Sequence, residues 1–347
     1  MSASLAPTRM SVGERVQRQV GIGVGRLPTS LLKRLVKVPV NSDGEQMAPE
    51  IAMLMSAVAK ALDFSDLSPA EARNAEMKDV AVYGERPLPM QRVENLRLPG
   101  GLVATRYRTG RTSGGLVVFF HGGGFVLGSR AAYDGPARLL AHHTGMDILS
   151  VEYRLAPEST YPAPHHDALV AWEYAVAHAE SWGIPVDRIV VAGDSAGGNI
   201  AAVLAQKLRG SAQQPALQVL IYPATDLAGS RASNQEFAES PALSAKQIAW
   251  FLDQYLPPDI DRADPHVSPL FADDLTGLPP AIVTVGGFDP LRDDGLAYAA
   301  RLTDSGVPTE VIREPGLVHG YLGLTALSTT SRDAVLRIAS GIVRAMA

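Results

Sequence analysis

From residue 116 onward the chain repeats one pattern: a short, mostly apolar run, then a longer stretch with helical spacing. The runs fall at 116–120, 147–153, 188–192, 217–222, 281–286 and 309–313. Such runs, rich in Val, Ile and Leu, suit strands buried on both faces. Strands alternating with helices predict a mostly parallel, doubly wound sheet. Upstream, 92–98 and 102–107 alternate polar and apolar residues around Pro99-Gly100-Gly101, which predicts an antiparallel hairpin at one edge. The pattern therefore predicts an eight-stranded α/β sheet, with function gathered at the carboxyl ends of its strands.

Residues 1–87 read differently. Residues 49–61 have the composition of a helix started by Pro49 and Glu50, and Ser68-Pro69-Ala70-Glu71 carries a capping-box signal. Helices with no strand partners predict a helical cap over 1–87, ahead of the sheet-bearing α/β domain over 88–347. A second cap piece is expected at about 233–267, where Ile248, Phe251, Leu252 and Tyr255 recur at helical spacing beside Trp250. Placed over the carboxyl ends of the strands, that apolar face would line a pocket for an apolar chain. Phe125, Val126, Phe251 and Tyr255 are the candidate pocket residues.

Composition narrows the partners. With 46% hydrophobic and 19% charged residues and a net charge of −5, nothing points to nucleic acid. The chain has no cysteine, which excludes disulfides, thiolate metal sites and a cysteine nucleophile. Residues 1–9 lack a charged start followed by an apolar core, so no signal peptide is expected, and the cytoplasm is the expected location. Within the first forty residues, 31–37 form a short basic amphipathic stretch. Its first reading is a solvated helix packed by one face; contact with an anionic membrane is the alternative. The oligomeric state is left open, a homodimer included.

The chemistry centres on Gly193-Asp194-Ser195-Ala196-Gly197-Gly198, which lies between a strand-like run and the helix former-rich stretch 199–207. Strand, Gly-x-Ser-x-Gly, helix is the context of a nucleophile elbow, with Ser195 on a turn too sharp for flanking side chains. His121-Gly122-Gly123-Gly124 directly follows the 116–120 run. Three glycines contribute no packing, so a close backbone approach explains them better. The N–H groups of Gly123 and Gly124 could join that of Ala196 as an oxyanion hole. A phosphate-binding loop is disfavoured because neither Lys-Ser/Thr nor Gly-x-Gly-x-x-Gly accompanies it. His121 and Gly122 read as structural parts of that loop.

A general base must come from eight histidines. His142, His143, His165, His166, His178 and His266 read as ordinary core or surface residues. His319 stands apart: it follows the 309–313 run after a short Pro-Gly-containing loop, on the side of the elbow. For the acid, Asp289 lies just past the 281–286 run, whereas Asp293 and Asp294 open a helix and are explained by its dipole. The order Ser195, Asp289, His319 is that of α/β-hydrolases.

With His121-Gly-Gly-Gly, Tyr153-Arg-Leu-Ala-Pro-Glu158, Gly193-Asp-Ser-Ala-Gly-Gly198, Asp289-Pro-Leu-Arg-Asp293 and His319-Gly320 in order, the chain resembles the hormone-sensitive-lipase-like esterases over about residues 90–345. The resemblance implies an α/β-hydrolase core, a helical cap, and no metal or organic cofactor. It further implies Ser195 as nucleophile, His319 as general base and acid, and Asp289 as its orienter. The expected activity is hydrolysis of short- to medium-chain carboxylic esters through an acyl-enzyme. An amidase or acyltransferase with the same triad is a second reading; a non-catalytic receptor is disfavoured because His319 is present. The basic first forty residues exceed the family's usual cap.

Overall fold

The computed structural model describes residues 10–59, 61–110 and 114–347. Residues 1–9, on which the signal-peptide expectation rests, lie outside them. One sheet organises the rest. Its strands are β1 (Arg92–Arg97), β2 (Val103–Arg108), β3 (Leu116–Phe120), β4 (Asp147–Glu152), β5 (Ile189–Asp194), β6 (Leu217–Ile221), β7 (Ala281–Phe288) and β8 (Thr309–Val318). Their spatial order is β1-β2-β4-β3-β5-β6-β7-β8. The β1–β2 and β2–β4 pairs are antiparallel, and all other neighbours are parallel.

That order creates the site. After β3 the chain moves to one side to make β4, then crosses back to make β5 on the other. The carboxyl ends of β3 and β5 therefore lie side by side, with Phe120 opposite Gly193. A crevice opens at such a reversal, because the two connections leave in opposite directions.

Helices cover both faces, and the strands' two-residue period divides the core. Leu116, Val118 and Phe120 pack with α6 (Ala163–Ala179), α7 (Ala196–Lys207) and α10 (Arg292–Asp304). Val117 and Phe119 pack with α5 (Asp134–Thr144) and α11 (Thr329–Ala345).

The N-terminal segment contains α1 (Val12–Gly25), α2 (Thr29–Leu35), α3 (Pro49–Val58) and α4 (Pro69–Tyr83). Ser68 caps α4 in the expected capping box. The division at residue 87 does not separate two cores. Ile51, Ala52 and Met55 of α3 lie in the same cluster as Phe119, Leu317 and Tyr321. Burying a side chain such as Ile51 is worth about 1.5–3 kcal/mol, so α3 belongs to the body of the domain. The expected second cap piece holds α8 (Ala232–Glu236) and α9 (Ala245–Tyr255).

One strand departs from the sequence reading. The 309–313 run does not give way to a loop: β8 continues through Pro315 and Gly316 to Val318. Pro is tolerated because β8 is an edge strand, and Gly316 O accepts a bond from Ala48 N. The irregularity lies on β8: Gly286 pairs with Glu314 and Phe288 with Val318, so Pro315, Gly316 and Leu317 stand opposite Gly287 alone. A bulge of this kind re-aims the next side chain along the strand. Here that is His319, which directly follows Val318.

Candidate active site

Ser195 occupies the turn between β5 and α7 at φ +53°, ψ −118°, in a region costing a non-glycine residue about 1–3 kcal/mol. Its N–H donates to Ile221 O, and its carbonyl accepts from Asn199 N and Ala224 N. Neighbouring structure thus over-determines the strained turn. The flanking glycines leave no alternative. A Cβ on Gly197 would lie 2.0 Å from Phe120 O, and one on Gly193 2.1 Å from Gly197 O.

The Ser195 hydroxyl lies 2.9 Å from His319 Nε2, and His319 Nδ1 lies 2.8 Å from Asp289 Oδ2. Asp289 is fully buried, and its other oxygen accepts from Leu291 N at 2.7 Å. An ionised carboxylate only accepts, so Nδ1 carries the imidazole proton and Nε2 is free to accept from the hydroxyl. Gly320 turns the chain directly after His319, at φ +73°. The Tyr222 ring packs against the imidazole at 61°, with centroids 4.9 Å apart. All three groups therefore meet, from the ends of β5, β7 and β8.

Above them runs the glycine loop after β3. Gly123 O accepts from both Val126 N and Leu127 N, which curls the loop tightly. Gly123 and Gly124 sit at φ +110° and +58°. Among the described residues, the N–H groups of Gly123, Gly124 and Ala196 donate to no protein acceptor. His121 is buried: its Nδ1 donates to Gly122 O, its carbonyl accepts from Tyr153 O–H, and its ring stacks on Tyr153. Burial lowers its pKa. That environment suits a loop support and leaves no room for a base.

Comparison with known proteins points the same way. A family model described as alpha/beta hydrolase fold matches residues 117–323. The carboxylic ester hydrolase LipN of Mycobacterium tuberculosis is 36% identical over 326 residues, covering 89% of this chain and 86% of that protein. The chain belongs to the α/β-hydrolase family, among its hormone-sensitive-lipase-like esterases. An ethyl acetate hydrolase of Pseudomonas putida is 35% identical over 66% of this chain and 73% of that protein. Among solved structures, an ester hydrolase from the metagenome of Lake Arreo, complexed with a derivative of bipyridine phosphonate, superposes with a TM-score of 0.81. It is 37% identical and covers 86% of this chain and 98% of that one. This α/β-hydrolase is accordingly an enzyme of the serine esterase class.

Of the four expected pocket residues only Phe251 faces the site. Its ring lies against Gly124, where a Cβ would come within 2.3 Å of it. It also packs on Phe64 and Trp250. Phe125, Val126 and Tyr255 are sealed in the core instead. Phe125 and Tyr255 stack face to face at 3.8 Å, each satisfying the other's apolar surface. Helical spacing identifies a buried face but not which turn of it overhangs the loop. His165, read as an ordinary residue, is half-buried beside that stack. It donates to Asn199 Oδ1, accepts from Tyr255 O–H, and is pushed down to about 4 by burial.

Two carboxylates escape the sequence reading. Asp194, beside the nucleophile, accepts from Gly122 N, Tyr133 O–H and Tyr222 O–H, so it ties the elbow to the glycine loop. Burial raises it to about 6, against those hydrogen bonds. Glu76 on α4 accepts from Gly128 N at the far end of the loop, and burial raises it to about 7. Asp194 stands inside the Gly-x-Ser-x-Gly motif, and that position is signal enough to single it out. For Glu76 no local signal exists.

Proposed function

We propose that the chain hydrolyses short- to medium-chain carboxylic esters with Ser195 as nucleophile, His319 as general base and acid, and Asp289 as its orienter. The observation that carries the reading is the unbroken relay from Asp289 through His319 to the Ser195 hydroxyl. It lies beneath backbone N–H groups that lack a protein acceptor among the described residues. Ser195 Oγ attacks the ester carbonyl while His319 Nε2 takes its proton. The oxygen that gains charge is met by Gly123, Gly124 and Ala196 N–H, each donor worth about 2.7–4 kcal/mol in such sites. The proton then passes to the departing alcohol oxygen, leaving an acyl-enzyme. Water, deprotonated by the same imidazole, releases the acid and restores Ser195.

Chain length is set by Phe251. Each methylene buried is worth about 0.8 kcal/mol, so kcat/KM rises over the first carbons, and it falls once the acyl chain meets the ring. The balance sets an optimum at about four to eight carbons. The relative named ethyl acetate hydrolase supports the short end of this range.

The deciding experiment is Ser195→Ala assayed on nitrophenyl butyrate, with the folded state checked by circular dichroism. A loss of about 10⁶ in kcat is expected. A folded variant keeping more than about a hundredth of the activity would remove Ser195 from the nucleophile's role.

A further inference from the structure

The N-terminal helices carry a surface for which the catalytic reading has no use. On α1, Arg18 is buried and donates to Val82 O and Gly84 O, while Gly21 and Gly25 lie against Leu327. At 3.6 residues per turn these three share one face, which fixes α1 to the body. Val12, Val16 and Val20 form the stripe directly opposite and are 75%, 58% and 59% exposed. Arg15 flanks that stripe and Arg26 follows the helix, both exposed. The lone acid of the region, Glu14, is held in the capping box with Ser11. On α2, Leu32 is the buried anchor, while Leu31 and Leu35 are exposed among Lys33, Arg34 and Lys37.

This concentration is not the protein's average surface. Of the fourteen large hydrophobic residues exposed among the described residues, six lie in 10–40. The first forty residues carry seven basic groups and one acid, so the other 307 carry a net −11 against an overall −5. Exposed apolar stripes set among cations, on an otherwise acidic molecule, match one kind of partner.

We propose that α1 and α2 dock this enzyme on an anionic lipid surface, with the Val and Leu stripes entering the headgroup boundary and the flanking Arg and Lys meeting lipid phosphates. Neither helix is long enough to cross a bilayer: α1 has 14 residues and α2 seven. They lie in the interface plane instead, where apolar burial and charge attraction act together. A second copy of the chain fits less well, because a two-fold contact through this face would set the same cations against each other.

The test uses the full chain with vesicles of phosphatidylcholine, and of an equimolar phosphatidylcholine–phosphatidylglycerol mixture. Cosedimentation is expected only with the second, weakening about tenfold or more as salt is raised. Lys33→Glu with Arg34→Glu, and separately Val16→Asp with Val20→Asp, should each reduce binding at least about tenfold. Both pairs should leave hydrolysis of soluble nitrophenyl butyrate unchanged, since no altered side chain nears the triad. Equal binding to both vesicle types, or to neither, overturns the proposal. So does a dimer in size-exclusion chromatography that Val16→Asp with Val20→Asp converts to monomer, which would assign the face to self-association.

Discussion

The strand ends and the N-terminal segment build the same site in different ways. At the strand ends, each reacting group is aimed by the backbone that carries it. Ser195 is aimed by an elbow that only glycine can flank, Asp289 by its place at the end of β7 and the bond from Leu291 N, and His319 by the β8 bulge and the turn at Gly320. The N-terminal segment contributes no reacting group, yet it grips three parts of the site from outside. Asn41 donates to Gly287 O ahead of Asp289. Arg73 and Glu76 hold the glycine loop at Val126 O and Gly128 N. Asp63 takes bonds from Lys246 and Gln247 on α9, the helix that carries Phe251. Position is thus written locally, while rigidity is supplied by side chains remote in sequence.

If that division is right, changes at the strand ends strike the chemistry and changes in the segment strike its precision. The largest effect after loss of the nucleophile should come from Asp289→Asn. It takes away the charge that fixes the tautomer of His319 and stabilises its imidazolium, at a typical cost of about 10⁴ in kcat. Asp293→Asn is the internal control. Asp293 receives Ser233 N–H and pairs with Arg292 at the start of α10, so its loss should cost stability and leave kcat within about tenfold. Steady-state kinetics on the two variants would reverse the acid assignment if Asp293→Asn were the worse.

Next comes Gly197→Ala. The added Cβ meets backbone oxygen at 2.0 Å, which cannot give way without parting α7 from β3. A loss above about 3 kcal/mol in urea unfolding is expected, placing it among the exceptional substitutions. Gly323→Ala, with nothing within 4 Å, should be silent. Comparable losses for the two would mean the elbow is not the tight contact described.

The same division explains what is legible in the sequence. The hairpin, the six parallel strands and the Ser195, Asp289 and His319 placements rest on periods of a few residues and on motifs next to strands. Such signals are local. The continuation of β8 is hidden because Pro315-Gly316 reads as a loop until Ala48 supplies a partner. Phe125 and Tyr255 read as pocket residues because the partner each stacks on is 130 residues away. Likewise α3 reads as a cap because its cluster lies on the far side of the sheet. The grip of Asn41 on Gly287 spans 246 residues, and no pattern in either stretch announces it.

Asn41→Ala probes that grip. It removes a bond to Gly287 O at 2.9 Å and one to Glu45 at 2.7 Å, leaving a buried carbonyl without this donor. The expected cost is about 1–3 kcal/mol of stability. A severalfold fall in kcat at nearly constant KM should accompany it, because Asp289 is loosened and the substrate wall is not. A rise in KM with kcat intact would show that the segment shapes the pocket and not the triad.

At pH 4.5 the smallest effect of all is expected from Glu76→Gln, and it grows with pH. Burial raises Glu76 from an ordinary 4.5 to about 7, with Asp194 and Asp79 adding to the rise and Gly128 N–H and Arg73 opposing it. The native state therefore holds a proton that the unfolded chain gives up, so the stability contributed at pH 4.5 and below is lost as pH rises through about 7. Asp194, raised from 3.8 to about 6, pulls the same way over a lower window. Gln keeps an oxygen for Gly128 N–H and never ionises. It should be nearly neutral at pH 4.5 and stabilising at pH 8, by a difference on the order of 3 kcal/mol from a shift of roughly two and a half units. Urea midpoints for the two proteins at both pH values measure it. The residual slope in Glu76→Gln should lie between about pH 4 and 6, where Asp194 titrates. Parallel pH profiles would mean that Glu76 ionises freely in the folded protein, and that α4 holds the glycine loop through Arg73 alone.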